Sequence, residues 1–414
     1  MLVVMPLTLV TRRRSTDPAD RPIDSRVNPT ESAAGVLRVR DAGPVGDWTA
    51  LQAYVRRQLD ALIGAGREVG VQVAAYLDGR LIVNAAAGLA DESTGAPVTP
   101  DTPFFSYSVG KGLTSTAVHV LAEQGKLDYD RAVAEVWPEY GRFGKQETTI
   151  RHVLLHAAGV PCLPPYTLPE DLLDWDRICR AIAGSTPEWR PGTRHGLHEW
   201  TYGFILGEVV RRVVDRPIAW VVAHEIARPL GAERELFFGV PPEMMRRVAR
   251  LKDRNWTAAL RTLSAELEHF DRVVPPGVRP DAALANRRDL LRAETGMATV
   301  SARAVARMYA ALMGEVDGVR LISAKRLEEV TAVRTEGLDW TIGGDLPKTL
   351  GYAAQPGTTR IGWNGDGGSL AGFHPELRLA VAATRNYLGA DDDGLERLAA
   401  TIRTAVARSM TTRP

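Results

Sequence analysis

The chain has 414 residues, 45% of them hydrophobic and 24% charged, which is the balance of an ordinary globular protein. With 51 Lys and Arg against 50 Asp and Glu the net charge is +1, so nothing argues for nucleic acid or an anionic membrane as a partner. The two cysteines, Cys162 and Cys179, form no disulfide framework and no Cys-x-x-Cys zinc spacing, and they fit a reducing, cytoplasmic setting.

Met1 to Val10 is apolar but short, and Arg12, Arg13 and Arg14 follow it rather than precede it, the reverse of an export signal. No later stretch is long and apolar enough to span a membrane. The stretch over 1–46 is rich in Arg, Asp and Pro and is expected to be a mobile leader. Trp48 to Ile63 places Leu51, Tyr54, Val55, Leu59 and Leu62 at helical spacing. Val71 to Leu77 predicts a strand that turns through Asp78-Gly79 into Leu81-Ile82-Val83, since Asp-Gly between apolar runs marks a hairpin. Ile150 to His156 predicts a helix closed by Ala158-Gly159-Val160-Pro161. Glu188 to Gly192 is a loop. Tyr202 to Val214 predicts a helix that packs through Ile205, Leu206, Val209 and Val210. Pro217 opens a further helix from Ile218 to Leu230. Strand patterns return at Thr359 to Trp363, Leu370 to Phe373 and Leu379 to Thr384, and Asp392 to Met410 closes as a helix. Strands at both ends with helices between predict an α/β (α+β) fold with one sheet built from both chain ends.

Between the two sets of strands lies Phe104-Phe105-Ser106-Tyr107-Ser108-Val109-Gly110-Lys111, a loop feeding a buried helix with Leu113, Ala117, Val118, Val120 and Leu121 on its apolar face. Ser108 and Lys111 are three apart and share a face of that helix. A serine hydroxyl becomes a nucleophile when a neighbour takes its proton, and a lysine on the same face can serve if its surroundings lower its pKa. The helix N-terminus adds partial positive charge where an oxyanion would form.

Four segments in order resemble the serine β-lactamase and penicillin-binding-protein superfamily, in its class C and family VIII esterase branch. Ser108-Val109-Gly110-Lys111 is similar to the nucleophile motif. Val153-Leu154-Leu155-His156-Ala157-Ala158-Gly159-Val160-Pro161 is similar to the Leu-Leu-x-His-x-x-Gly-Leu-Pro segment that follows it. Trp189-Arg190-Pro191-Gly192-Thr193, leading to Tyr202-Gly203-Phe204-Ile205-Leu206-Gly207, resembles the segment that holds the second motif. Trp363-Asn364-Gly365-Asp366-Gly367-Gly368-Ser369 stands where the third would fall. The resemblance runs from about Trp48 to the C-terminus. It implies an antiparallel sheet domain from 47–105 with 295–414, a helical domain over 106–294, and an active site at their junction.

Two departures bear on the chemistry. Where the second motif of the family begins with a tyrosine that relays the proton, an ungapped alignment from Pro191-Gly192 places Leu197, followed by His198 and Glu199. Leucine has no proton to exchange. Lys111 alone, His198, His195, Tyr166 or Tyr202 are the candidate stand-ins, set against the plainer reading that the histidines bond loop backbone. Where the β-lactamases place Lys or His in the third motif stands Trp363, which removes a partner for a substrate carboxylate and leaves an apolar wall, as in the Trp-x-Gly of the esterases. By the same resemblance the amides of Ser108 and Asp366 form the oxyanion hole, and Trp363, Asn364, Gly365 and Leu197 line the substrate site. The Asp366 carboxylate is read as a solvated turn group, and His156 as a structural histidine.

The resemblance therefore implies a serine-dependent acyl-transfer enzyme, a transacylase or esterase, acting through an acyl-enzyme on Ser108 with Lys111 and His198 assisting. Its partners would be a small-molecule ester, thioester or amide and an acceptor that is water, an alcohol or an amine, with secondary-metabolite or antibiotic biosynthesis as one setting. No cofactor or metal is implied, since no His-Glu-x-x-His or similar ligand spacing occurs. The rival reading is a binding or sensing protein that keeps the fold with little turnover, for which Leu197 is the argument. The sequence carries no sign of an oligomeric state.

Overall fold

A computed structural model describes residues 47–390 and 393–411; the leader expected over 1–46 lies outside them. The strand Gly70–Leu77 (β1) is buried along its whole length, because both faces of the sheet it belongs to are covered. It turns through Asp78 and Gly79, both with positive φ, into Arg80–Asp91 (β2). Two consecutive left-handed residues are what a two-residue hairpin of matching twist requires. Ala96–Pro97 (β3) adds an edge. From the other end of the chain come Ala353–Ala354 (β4), Ile361–Asn364 (β5), Leu370–His374 (β6) and Leu379–Arg385 (β7). The sheet order is β3-β2-β1-β7-β6-β5-β4, antiparallel throughout, so the two chain ends meet where Ala74 faces Ala382 across β1 and β7.

Side chains alternate along each strand, so one run of residues feeds two cores. Val71, Val73, Ala75 and Leu77 of β1 join Val381 and Ala383 of β7 in a layer with Leu51, Val55 and Leu59 of Thr49–Gly64 (α1). Leu395, Leu398, Ile402 and Val406 of a C-terminal helix, Gly394–Thr411, complete that layer. Ala74, Tyr76, Ala380 and Ala382 point into the larger core on the opposite face. A one-residue slip in register would exchange these faces, so the pairing is fixed by burial of about 1.5–3 kcal/mol for each large apolar side chain.

The larger core carries the site. Its helices include Val109–Glu123 (α2), Thr201–Val214 (α3) and Ala302–Met313 (α4). The last was not read from the sequence; it packs against β1 and β7 through Val305, Met308, Tyr309 and Leu312. The helix expected from Ile218 to Leu230 is an α-helical turn, Ile218–Val221, that widens into a π-helix over Val222–Ala227. The helix expected from Ile150 to His156 ends at Leu154, and His156 adopts a positive φ of 56°. Among the described residues no helix is long and apolar enough to cross a membrane.

Candidate active site

Ser108 is delivered by a sharp turn out of a short strand. Phe104–Phe105 pairs antiparallel with Thr299–Val300, and the Ser106 amide donates to the Ala298 carbonyl at 2.8 Å. The chain then reverses through Tyr107, whose φ is 44°. A left-handed tyrosine is strained, and it persists because its ring is fully buried and its hydroxyl donates to the Asp281 carbonyl. Ser108 follows with helical backbone angles as the cap of α2. Gly110 has no room for a side chain: a Cβ there would lie 2.6 Å from the Gly296 carbonyl oxygen and the Ala298 amide. The N-terminus of α2 is thus pressed against the 296–298 backbone.

Lys111, one turn on, is 1% exposed, and its Nζ donates to Ser108 Oγ at 2.6 Å. The Ser108 hydroxyl in turn donates to Glu199 Oε1 at 2.8 Å. Lys111 and Glu199 form an ion pair of 3.1 Å, both side chains 1% exposed. Serine therefore sits between an ammonium that donates to it and a carboxylate that accepts from it. Such a hydroxyl is already aimed at a proton acceptor, and the negative charge it develops on reacting lies beside a cation.

Glu199 is held by a loop braced on both sides. The Leu197 amide donates to Asp339 Oδ1 at 3.0 Å, and the Leu197 carbonyl accepts from Thr341 Oγ1 at 2.9 Å. Asp339 is paired with Lys348 at 2.5 Å, both side chains wholly buried. Burial alone would push the Asp339 carboxyl up; the Lys348 ammonium and the backbone amides bring it below its ordinary value.

The residues expected from the sequence fall into two groups. Ser108, Lys111 and Trp363 come together. The Trp363 ring lies 5.9 Å from Lys111 Nζ, and its indole N–H donates to the Gly351 carbonyl at 2.9 Å. Gly365 approaches the turn so closely that a Cβ would lie 2.1 Å from the Ser106 carbonyl oxygen, which brings Asp366 alongside. Among the described residues the amides of Ser108 and Asp366 have no backbone acceptor.

Other expectations need correction. His198 is not aimed at the serine. Its Nε2 accepts from the Val160 amide at 3.1 Å and its Nδ1 bonds the Gly196 carbonyl at 2.7 Å, while burial lowers its pKa to about 4. It is a strut of the loop, and the side chain bonded to Ser108 is that of its neighbour, Glu199. The Asn364 side chain is also turned away: it bonds Glu396 and Arg360 at 3.0 Å, against the C-terminal helix. Leu197 is buried and contributes its backbone to the brace.

Tyr166 is 92% exposed, and the Tyr202 hydroxyl is taken by Ser115 Oγ at 2.7 Å, so neither replaces the missing tyrosine. His195 keeps a buried Nε2 with no partner among the described residues, its pKa lowered by burial first. His156 Nδ1 accepts from the His198 amide at 3.0 Å, the structural bond expected of it. Cys162 is a free thiol pushed up to about 12, by burial first and by Glu188 second. Asp366 is not a solvated turn group; it is 2% exposed.

The sequence profile of the Beta-lactamase family matches residues 55–404. The chain belongs to the beta-lactamase family. It is 33% identical over 355 residues to the esterase/beta-lactamase LipL of Mycobacterium tuberculosis, 81% of each chain being covered. Its fold superposes on a family VIII carboxylesterase with a TM-score of 0.78 at 29% identity, covering 86% of this chain and 97% of that one. A penicillin-binding-protein homologue from Caulobacter crescentus gives a TM-score of 0.74 at 28% identity, covering 88% and 99%. The chain is thus a serine hydrolase of the esterase- and β-lactamase-like kind.

Within this beta-lactamase-family site the residue that sequence reasoning missed is Glu199. One signal was present. A lysine buried on the nucleophile's helix needs a counter-ion, and Glu199 is the one acid in the run from Leu197 to Phe204.

Proposed function

We propose that the chain is a serine carboxylesterase that works through an acyl-enzyme on Ser108, with Glu199 receiving the hydroxyl proton. One observation carries the reading: the hydrogen-bond chain from Lys111 through Ser108 to Glu199, at 2.6 and 2.8 Å. In acylation the Ser108 Oγ–H proton passes to Glu199 as the Oγ–carbon bond forms. The carbonyl oxygen takes the charge and is held by the amides of Ser108 and Asp366, with Lys111 compensating charge at Oγ. Collapse breaks the ester C–O bond, and the proton on Glu199 goes to the departing alkoxide. In deacylation a water takes the alcohol's place, gives its proton to Glu199 and adds to the acyl carbon. Collapse then returns the proton to Ser108 Oγ and frees the carboxylic acid.

The preferred substrate is a neutral ester. Trp363 stands where a cation would bind a substrate carboxylate, and its ring faces Lys111. Water is the favoured acceptor, because a carboxylate already bonded to Ser108 removes the reason to expect poor water activation. The site lies where the turn after Phe104–Phe105, the loop before α3 and the end of β5 converge, at the junction of the sheet and the helices.

The test is intact-mass spectrometry after a fluorophosphonate, beside turnover of a p-nitrophenyl ester with and without added amine. A single adduct lost in Ser108→Ala, and turnover in water indifferent to amine, are expected. Labelling that persists in Ser108→Ala would place the nucleophile elsewhere. No adduct on folded protein would favour a binding role, and turnover accelerated by amine would favour transfer.

A further inference from the structure

The mechanism above leaves one group in the site without a task. Both carboxyl oxygens of Asp366 are buried and have no hydrogen-bond partner among the described residues. Its neighbours place it at the reacting centre. Its charge is felt by Glu199 and Lys111, and by the phenol of Tyr107 in the turn before the nucleophile. It also lies against its own backbone N–H, the amide that the acyl-enzyme reading assigns to the oxyanion.

We propose that Asp366 donates, through a carboxylic acid O–H, a third hydrogen bond to the substrate oxygen that becomes the oxyanion. The inference rests on the acyl-enzyme reading and deepens it.

Charge decides between this role and that of a carboxylate. Lys111 and Glu199 already cancel. A second carboxylate would leave the centre net negative where an oxyanion must form, and would repel it. A neutral acid adds no charge and supplies a donor that has no other acceptor. Burial first, and the Glu199 carboxylate second, raise the Asp366 pKa well above its ordinary value; Lys111 opposes them without reversing the result. Behind the turn, Gly368 abuts Arg385, which is committed to Glu68 at 2.9 Å. Asp366 keeps its proton throughout the cycle: no bond to it forms or breaks, and the O–H···O contact shortens as the oxyanion develops.

The experiment compares kcat for a neutral p-nitrophenyl ester across pH in the wild type, Asp366→Asn and Asp366→Ala, with thermal melting of each. The wild type should lose kcat on the alkaline side as Asp366 ionises. Asp366→Ala should lose about 10²–10³ in kcat, the usual cost of one oxyanion donor. Asp366→Asn, whose amide donates without ionising, should recover at least about tenfold of that loss and flatten the alkaline limb. Asp366→Ala should melt at or above the wild-type temperature, since a buried group without a partner among the described residues has been removed.

Folded Asp366→Ala with wild-type kcat overturns the inference, as does Asp366→Asn no better than Asp366→Ala. An alkaline limb that survives unchanged in Asp366→Asn overturns it too. Absence of any ester turnover or Ser108 adduct in the wild type would instead overturn the acyl-enzyme reading, and this inference with it.

Discussion

Glu199→Gln separates the two groups that touch the nucleophile. Glutamine keeps the length of the side chain and an oxygen that can accept from Ser108, but it cannot carry a proton away. General-base transfer contributes about 10²–10⁴ in rate, equivalent to about 3–5 kcal/mol of barrier. The same change removes the counter-ion of Lys111, 3.1 Å away with both groups 1% exposed. At an effective dielectric of about 20 that attraction is about 5 kcal/mol, and breaking a buried pair typically costs about 3–5 kcal/mol. The variant should therefore melt lower and, where still folded, turn over about 10²–10⁴ more slowly.

The assay is pre-steady-state release of p-nitrophenol, which reads acylation apart from deacylation. Both phases should slow, because the same carboxylate serves each. A folded Glu199→Gln protein with kcat within about threefold of wild type would refute the reasoning and return the proton to Lys111. Combining Glu199→Gln with Lys111→Met should cost little more than either change alone, as expected of groups that act as a unit.

Leu197→Tyr should leave ester turnover within about threefold, because Glu199 already holds the hydrogen bond such a phenol would make. A larger gain in steady-state kcat would mean that Glu199 is not the working acceptor. Asp339→Asn should cost about 3–5 kcal/mol in a denaturant titration, as Lys348 is left buried without its counter-ion. It should also lower kcat more than it raises KM, since the Lys348 pair fixes the Asp339 carboxylate that holds the Leu197 amide two residues from Glu199; unchanged kinetics in the folded variant would count against the brace. In acid the fold should weaken through its buried histidines. His119 and His374 are lowered by burial to about 3 and His198 to about 4, so the unfolded chain binds more protons below its ordinary histidine range. Their contribution is complete above about pH 6.5 and falls by about 4 kcal/mol per pH unit for the three as pH drops towards the folded values. Denaturant midpoints that stay flat between about pH 6 and about pH 5 would contradict it.

Much of the fold was legible because it depends on short-range signals. Asp78-Gly79 between apolar runs gave the hairpin, and the late strands fell within a residue or two of their observed places. Ala302–Met313 was missed because only Arg303 and Arg307, four apart, mark its polar face, while its other ten residues are buried and give the apolar spacing little contrast. In the site, Ser108 and Lys111 were legible because three residues of helix suffice to bring them together. Glu199 is 91 positions from Ser108, and only the fold supplies that contact. Strand alternation argued against one expectation from the start. Trp363 and Asn364 are adjacent on β5, so they face opposite sides of the sheet, and only one of them can look towards Lys111.

The two departures from the β-lactamase pattern are mutually consistent. A carboxylate is a far weaker base than a phenolate, so more of the barrier must be met by charge stabilisation around the carbonyl. Lys111 can give that stabilisation only while Glu199 holds it in place beside Ser108. A second cation at the position of Trp363 would compete for the same carboxylate and draw it off the hydroxyl. The indole avoids this: its N–H is committed to the Gly351 carbonyl, and its neutral face lies 5.9 Å from Lys111 Nζ. The loss of the tyrosine at Leu197 and the loss of the cation at Trp363 thus belong to one arrangement, built on a single buried ion pair. That arrangement suits a substrate which brings no charge of its own into the site.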